Sequence, residues 1–433
     1  MRVILFDDAR AAEWMPFALT RPAGELLFGA YTPRARAEQL FGACTGHIAA
    51  RELIGFDEPG AGPVLDGGDA VDGSEPTLYV SSRAILAGGT GFDPARSGAV
   101  RVGGVTAGCY VTGGAVPPGD FFASPGDYTI RTESDGTMRF ERRAGSADPH
   151  AYDLPGRVLE NVWELITLNA EQLVSDLDSR PLSGDGVGRE LPVGVHCIGG
   201  RSDRVQLSGN VVIEPGVVLD VSTGPIRFED GVTVRAPARI QGPTFVGHDS
   251  TLLGGSFTAV SIGARCKVRG EIEETVLLGC SNKAHDGFLG HAYLGRWVNL
   301  GALTTNSDLK NNDGAIRLWT PRGEVDTGQM KIGCLLGDHV KTGIGVMLNT
   351  GTVVGAGCNL FGAVQPPKYV APFSWGSGAD LVEYDLDKFL ETAEAVMRRR
   401  NVVLTEAQCS VLRRAWTRAR NLTAEAAEAA PVT

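Results

Sequence analysis

The sequence predicts an α/β N-terminal domain, then a left-handed parallel β-helix of hexapeptide repeats, then a short C-terminal helical segment. Three observations carry that expectation: a six-residue aliphatic period over roughly residues 205–365, 58 glycines in 433 residues without a G-x-y period, and a change of texture near residue 180. A helix repeats at about 3.6 residues and a flat strand at 2, so a period of six belongs to neither. It places one aliphatic side chain inside per short strand and a small residue where the chain turns. Three such strands close a triangular coil, and stacked coils merge their aliphatics into one column. The glycines suit the many tight turns this requires.

The β-helix is expected over 190–365. Leu207, Ile213 and Leu219 open the period; Phe228, Val234, Ile240, Val246 and Leu252 continue it in a new register. Leu336, Leu348, Val354 and Leu360 close it, with Thr342 in one slot. Aliphatic-glycine pairs mark the same rungs, among them Ile262-Gly263, Leu289-Gly290, Leu300-Gly301 and Val354-Gly355. Residues 303–331 break the period, are polar, and are too long for a turn, so they are expected to project as an arm.

Residues 1–180 mix short apolar runs with Gly/Pro-rich turns. Val3-Ile4-Leu5-Phe6 and Leu78-Tyr79-Val80 read as buried parallel strands, 34–41 and 163–177 as helices. A hairpin is expected around the Ser134-Asp135-Gly136 turn, between Tyr128-Thr129-Ile130 and Met138-Arg139-Phe140. A Gly/Ser/Asp-rich linker covers 178–190. Two helices fill 376–420: Leu386, Phe389, Leu390, Ala393, Val396 and Met397 form one stripe, and a capping box from Thr405 to Gln408 opens the second. The second buries Val411, Leu412, Ala415 and Trp416, while Arg398-Arg399-Arg400 reads as a solvated face.

A formal net charge of −11 argues against a nucleic-acid surface, which needs clustered Lys and Arg. No apolar run approaches membrane-spanning length, and Asp7-Asp8 follow the first apolar run too soon for a secretory signal. Eight scattered cysteines without a C-x-x-C pair read as reduced thiols of a cytoplasmic protein.

The densest polar cluster among the repeats runs from Ser281 through Asn282, Lys283, His285 and Asp286 to His291. Coil stacking needs none of these residues, and the repeat slips there, with five residues from Leu289 to Leu294. His285 is the candidate general base, since imidazole titrates near neutrality and can take a proton from an amine attacking a thioester. Its partner is expected among Glu271, Glu273 and Glu274 of the preceding coil, and Lys283 is expected to share its face and meet a phosphate. A plain surface histidine at a coil corner is the structural alternative. His285, His291 and His339 also admit a zinc reading at a subunit interface, but without ligand spacing no metal site is assigned.

The stretch from Ser281 to Asn311, SNKAHDGFLGHAYLGRWVNLGALTTNSDLKN, resembles the acetyltransferase domain of the GlmU family, bifunctional enzymes that make UDP-N-acetylglucosamine. LFDD and MPFALTRPAGELLFGAYTPRAR near the N-terminus, PPKYVAPFSWG and FLETAEAVMRRR near the C-terminus, resemble GlmU-related sugar nucleotidyltransferases. The resemblance implies acetyl-CoA as acyl donor, a hexosamine phosphate acceptor, a homotrimer with sites between subunits, and a nucleotidyltransferase-like N-terminal domain. It implies His285 as acetyltransferase base, with Lys283, Phe288, Asn299, Asn306 and Asp308 toward the substrate and Gly301, Ala302, Ile344 and Gly362 along acetyl-CoA. Leu303 replaces the family's second glycine, and Asp308-Leu309 stand where an Asn-Tyr pair is usual, which leaves the acceptor sugar open.

The N-terminal chemistry departs further. The first strand runs into Asp7-Asp8-Ala9-Arg10 with no glycine-rich loop, and Ser81-Ser82-Arg83 stand where a metal-binding Asp is expected. A triphosphate such as UTP would need Mg²⁺, or Arg10 and Arg21, to offset the carboxylates. An active domain with altered residues and a degenerate binding domain both fit. Two rivals stand beside the enzyme: a non-catalytic nucleotide-sugar-binding or scaffold trimer, and a zinc enzyme of the carbonic-anhydrase kind.

Overall fold

A computed structural model describes residues 1–428 apart from 67–74, 113–115, 133–137, 143–149 and 180–189. The Ser134-Asp135-Gly136 turn and nearly all of the expected 178–190 linker lie outside the described residues.

The N-terminal domain is built on a seven-stranded sheet. Arg2–Phe6 lies between Cys44–Ile48 and Thr77–Ser81, parallel to both. Parallel pairing needs a crossover, and the helix Pro33–Phe41 supplies it, opened by Thr32 capping the Ala35 N–H and by a proline in the first turn. Helices and loops cover both sheet faces, so Val3 to Phe6 and Leu78 to Val80 are buried throughout. The helix expected over 163–177 is two helices, Glu164–Thr167 and Asn169–Ser179. At the start of the second, Asn169 turns its side chain to the Gly29 N–H and to Ser261 of the β-helix.

From His196 to Ser377 the chain winds as a left-handed parallel β-helix. Face one carries Val218–Asp220, Phe288–Gly290 and Thr305–Asn306; face two is a nine-stranded sheet from Val205–Leu207 to Tyr369–Val370; face three carries Asn282–Lys283, Asn299–Leu300 and Lys341–Thr342. The six-residue period is the inward row of these faces. Leu207, Ile213 and Leu219 fill one coil, Phe228, Val234 and Ile240 the next, in one buried column running to Val370. The register changes after Leu219 because the corner at 221–225 takes extra residues.

Face two is apolar on its outer side as well. Val276, Leu278, Tyr293, Leu335 and Val353 point outward and pack under Trp14, Phe17, Leu26 and Ile166 of the N-terminal domain. The arm joins this contact, which corrects two expectations. Thr305–Asn306 is a strand of face one paired with Met347–Leu348, so the excursion begins after it rather than at 303. Nor does the arm project: its hairpin, Arg317–Thr320 with Gly323–Asp326, folds back, burying Ile316 and Leu318 and stacking Trp319 on Tyr369 with ring centroids 3.6 Å apart.

The C-terminal helices, Leu386–Arg398 and Glu406–Glu428, lie over the corner between faces two and three. The capping box forms as read: Thr405 Oγ1 accepts from the Gln408 N–H and the Gln408 amide accepts from the Thr405 N–H. Arg398 and Arg399 are exposed, but Arg400 exchanges hydrogen bonds with Arg265 of the corner. All eight cysteines are unpaired, and among the described residues no helix is long and apolar enough to cross a membrane.

Candidate active site

Strand register places the residues expected to serve acyl transfer. Asn282, Asn299, Lys341 and Asn359 pair in successive coils of face three. Three residues beyond each, the chain reaches the corner leading to face one, so His285, Ala302, Ile344 and Gly362 stack in one column, with coils about 4.8 Å apart. This edge is open. His285 is exposed and makes no side-chain hydrogen bond with the described residues. Ile344 is 70% and Leu303 61% exposed. Asn299, held by a 3.0 Å bond from the Asn282 amide, flanks the edge on one side, and the half-buried Phe288 flanks it on the other. The Gly301 N–H is already donated to Thr342, which removes it from the groups that would meet a thioester.

Two expected substrate contacts point into the protein. Lys283 is paired with Val268 and, like it, faces the lumen, fully buried, with its ammonium donating to the backbone carbonyls of Arg269 and His285. Burial lowers its pKa to about 8, Asp286 opposing. It therefore supports the corner that carries His285 and does not share the face of that histidine. Asn306 is paired with the inward Leu348, and its amide accepts from the Gly290 N–H and donates to the Gly290 carbonyl, both at 2.9 Å. It splints a backbone at the edge of a groove on face one.

Asp308 sits at one end of a groove on face one lined by Phe288, Thr305, Met347, Asn349 and Gln365. Gly290 is its floor, where a side chain would collide with the Phe288 ring and the Asp308 carboxylate. Asp308 accepts from His291 Nδ1 at 2.8 Å, and His291 Nε2 lies 3.3 Å from Glu274. Burial alone would lower the His291 pKa, but the two carboxylates outweigh it and raise it to about 9. Glu274 thus belongs to His291 and not to His285. A signal existed in the sequence, since Glu274 and His291 are 17 residues apart, one coil here. It was readable only with the coil length known.

The three histidines of the zinc reading occupy three different corners. His285 lies between faces three and one, His291 between one and two, and His339 between two and three, buried under Phe389. One chain cannot bring them to a common ion.

At the end of the first N-terminal strand the carboxylates are already engaged. Asp7 accepts from the Ala23 N–H and lies 2.9 Å from His47 Nε2. Asp8 pairs with Arg83 at 2.8 Å and accepts from Ser81 and the Ala11 N–H. These oxygens are satisfied by protein donors, so they do not fit the Mg²⁺ that a triphosphate would bring. Arg21 departs from its expected place at a nucleotide. It is buried, paired with Asp338 of the β-helix at 2.8 Å and with Glu58 at 2.9 Å. Arg10, half exposed and paired with Glu160, stands in a cleft with Trp14, Asn161, Trp163 and Arg322 of the arm.

Residues 3–88, the first half of this N-terminal sheet with its crossover helix, match the sugar nucleotidyl transferase family. Over part of its length the chain is similar to the bifunctional sugar-1-phosphate nucleotidylyltransferase/acetyltransferase of Sulfurisphaera tokodaii, 26% identical over 168 residues, or 39% of each chain. It is also similar to the bifunctional protein GlmU of Methanococcus vannielii, 26% identical over 192 residues, 40% of each. An uncharacterized acetyltransferase of Escherichia coli, YaiX, matches at 24% identity over 34% of this chain and 65% of its own length. The chain spans about two fifths of the length of the first two relatives. Within the matched residues, Ser81-Ser82-Arg83 stand where a metal-binding Asp was expected, and both Arg83 and Ser81 are spent on Asp8.

Proposed function

We propose that this chain is an enzyme of sugar-nucleotide biosynthesis whose β-helix transfers acetyl from acetyl-CoA to the amine of a hexosamine phosphate. The observation that carries the reading is the column of His285, Ala302, Ile344 and Gly362 on an open corner, with Asn299 and Phe288 on its flanks. The thioester lies along the column and the acceptor amine between it and His285. The amine nitrogen attacks the thioester carbonyl, His285 takes its proton and returns it to the departing sulfur, and coenzyme A leaves as the thiol. One coil edge is shallow, and His285 has no orienting partner among the described residues, so a neighbouring copy in a homotrimer completes the site.

For the N-terminal domain, the engagement of Asp7, Asp8 and Arg21 within the protein favours binding a nucleotide sugar over making one. A coupled assay of acetyl-CoA and UTP with glucosamine 1-phosphate scores the halves separately. Acetyl transfer without pyrophosphate release is expected, and His285→Ala should lower acetyl transfer by about 10²–10⁴-fold. Undiminished transfer in His285→Ala removes the mechanism. Failure of the wild type to bind acetyl-CoA in calorimetry leaves a scaffold trimer instead.

A further inference from the structure

The corner between faces one and two holds a second cluster that acetyl transfer does not use. Along a straight strand the side chains of Glu273 and Glu274 would point to opposite faces. Here Glu274 turns the corner in the left-handed region, φ 41°, and both carboxylates converge on one side. His291 occupies the equivalent corner of the next coil, since Glu273 pairs with Gly290. One ligand atom from each of Glu273, Glu274 and His291 lies within 4.8 Å of the others.

We infer that Glu273, Glu274 and His291 form a binding site for one divalent first-row transition ion of the zinc class. Zinc sits about 2.0–2.2 Å from nitrogen and oxygen ligands, so two ligands at a tetrahedral angle lie roughly 3.4 Å apart. His291 Nε2 and the Glu274 carboxylate are 3.3 Å apart. The far nitrogen of the ring, Nδ1, is held by Asp308 at 2.8 Å, the arrangement by which a carboxylate orients a metal-ligating histidine. The ring is buried, whereas the two glutamates are about one third exposed, which gives the ion an entry path and leaves further coordination positions to water. Imidazole with two carboxylates suits zinc, cobalt or manganese better than calcium. Lys331, 3.5 Å from Glu273, is the cation an incoming ion would displace. The inference does not depend on acetyl transfer, and its readout is binding.

The test titrates full-length, chelator-treated protein with Co²⁺, following visible absorption, then with Zn²⁺ as competitor in calorimetry. One ion per chain is expected. Asp308→Asn should weaken binding about 10–100-fold, Glu274→Gln and His291→Ala should abolish it, and Lys331→Gln should tighten it. Glu271→Gln, on the exposed neighbouring position, should leave it unchanged. Should His291→Ala fail to fold, Glu274→Gln at its part-exposed position decides. No stoichiometric Co²⁺ or Zn²⁺ binding by the wild type, or undiminished binding by Glu274→Gln, overturns the site.

Discussion

Lys283 shows how one side chain's direction changes its meaning. In a coil the choice between lumen and solvent follows strand parity, and pairing with Val268 puts the ammonium inside, where only backbone carbonyls meet it. Burying a cation is costly, and replacing one by an apolar chain of similar shape is often neutral or stabilising. Lys283→Met is therefore expected to keep stability within about 1.5 kcal/mol of wild type or raise it, as read by denaturant unfolding, with affinity for hexosamine phosphates unchanged in calorimetry. A loss confined to phosphorylated acceptors would return the ammonium to the site. The polar cluster at 281–291 was legible as unusual because stacking does not need it. Which members face out was not legible, because the strand ends at Lys283 and the corner that carries His285 breaks the two-residue alternation.

At the scale of elements, the arm is the instructive case. Its polarity and length suggested projection, yet Ile316, Leu318 and Trp319 are the residues that decide its path, and they fold it against face two and Tyr369. Leu318→Ala should cost about 2–5 kcal/mol, as for a buried leucine, measured by chemical denaturation of the full chain. An arm free in solvent would lose almost nothing. The helical pair was read more closely, since a capping box is a local exchange between Thr405 and Gln408 that needs no tertiary partner. The helix expected over 163–177 splits where Asn169 reaches two distant segments, a long-range demand that local propensity does not register.

Across the whole molecule, the N-terminal domain and the β-helix meet at one charge node. Arg21 pairs with Asp338 and Glu58, and Arg296 also pairs with Glu58. Burial would raise the Glu58 pKa, but the two guanidinium groups overcome it and lower it to about 2. A folded pKa below the unfolded value gives stability that is present above pH 4.5 and lost as pH falls from there toward 2. The junction should therefore loosen in that window, and Glu58→Gln should be less stable at neutral pH with a flatter acid limb, both visible in melting curves against pH. Equal acid limbs in the two proteins would mean the node does not hold the domains together. The six-residue aliphatic period was enough to specify the β-helix, since it fits neither a helix nor a flat strand, and His285 stood out as an imidazole that stacking does not require. That Arg21 joins domains, and that His291, Glu274 and Asp308 form one cluster, followed from packing alone. Those contacts join residues 17 to 317 positions apart, and such distances close only when coil length, corner geometry and domain docking are all set.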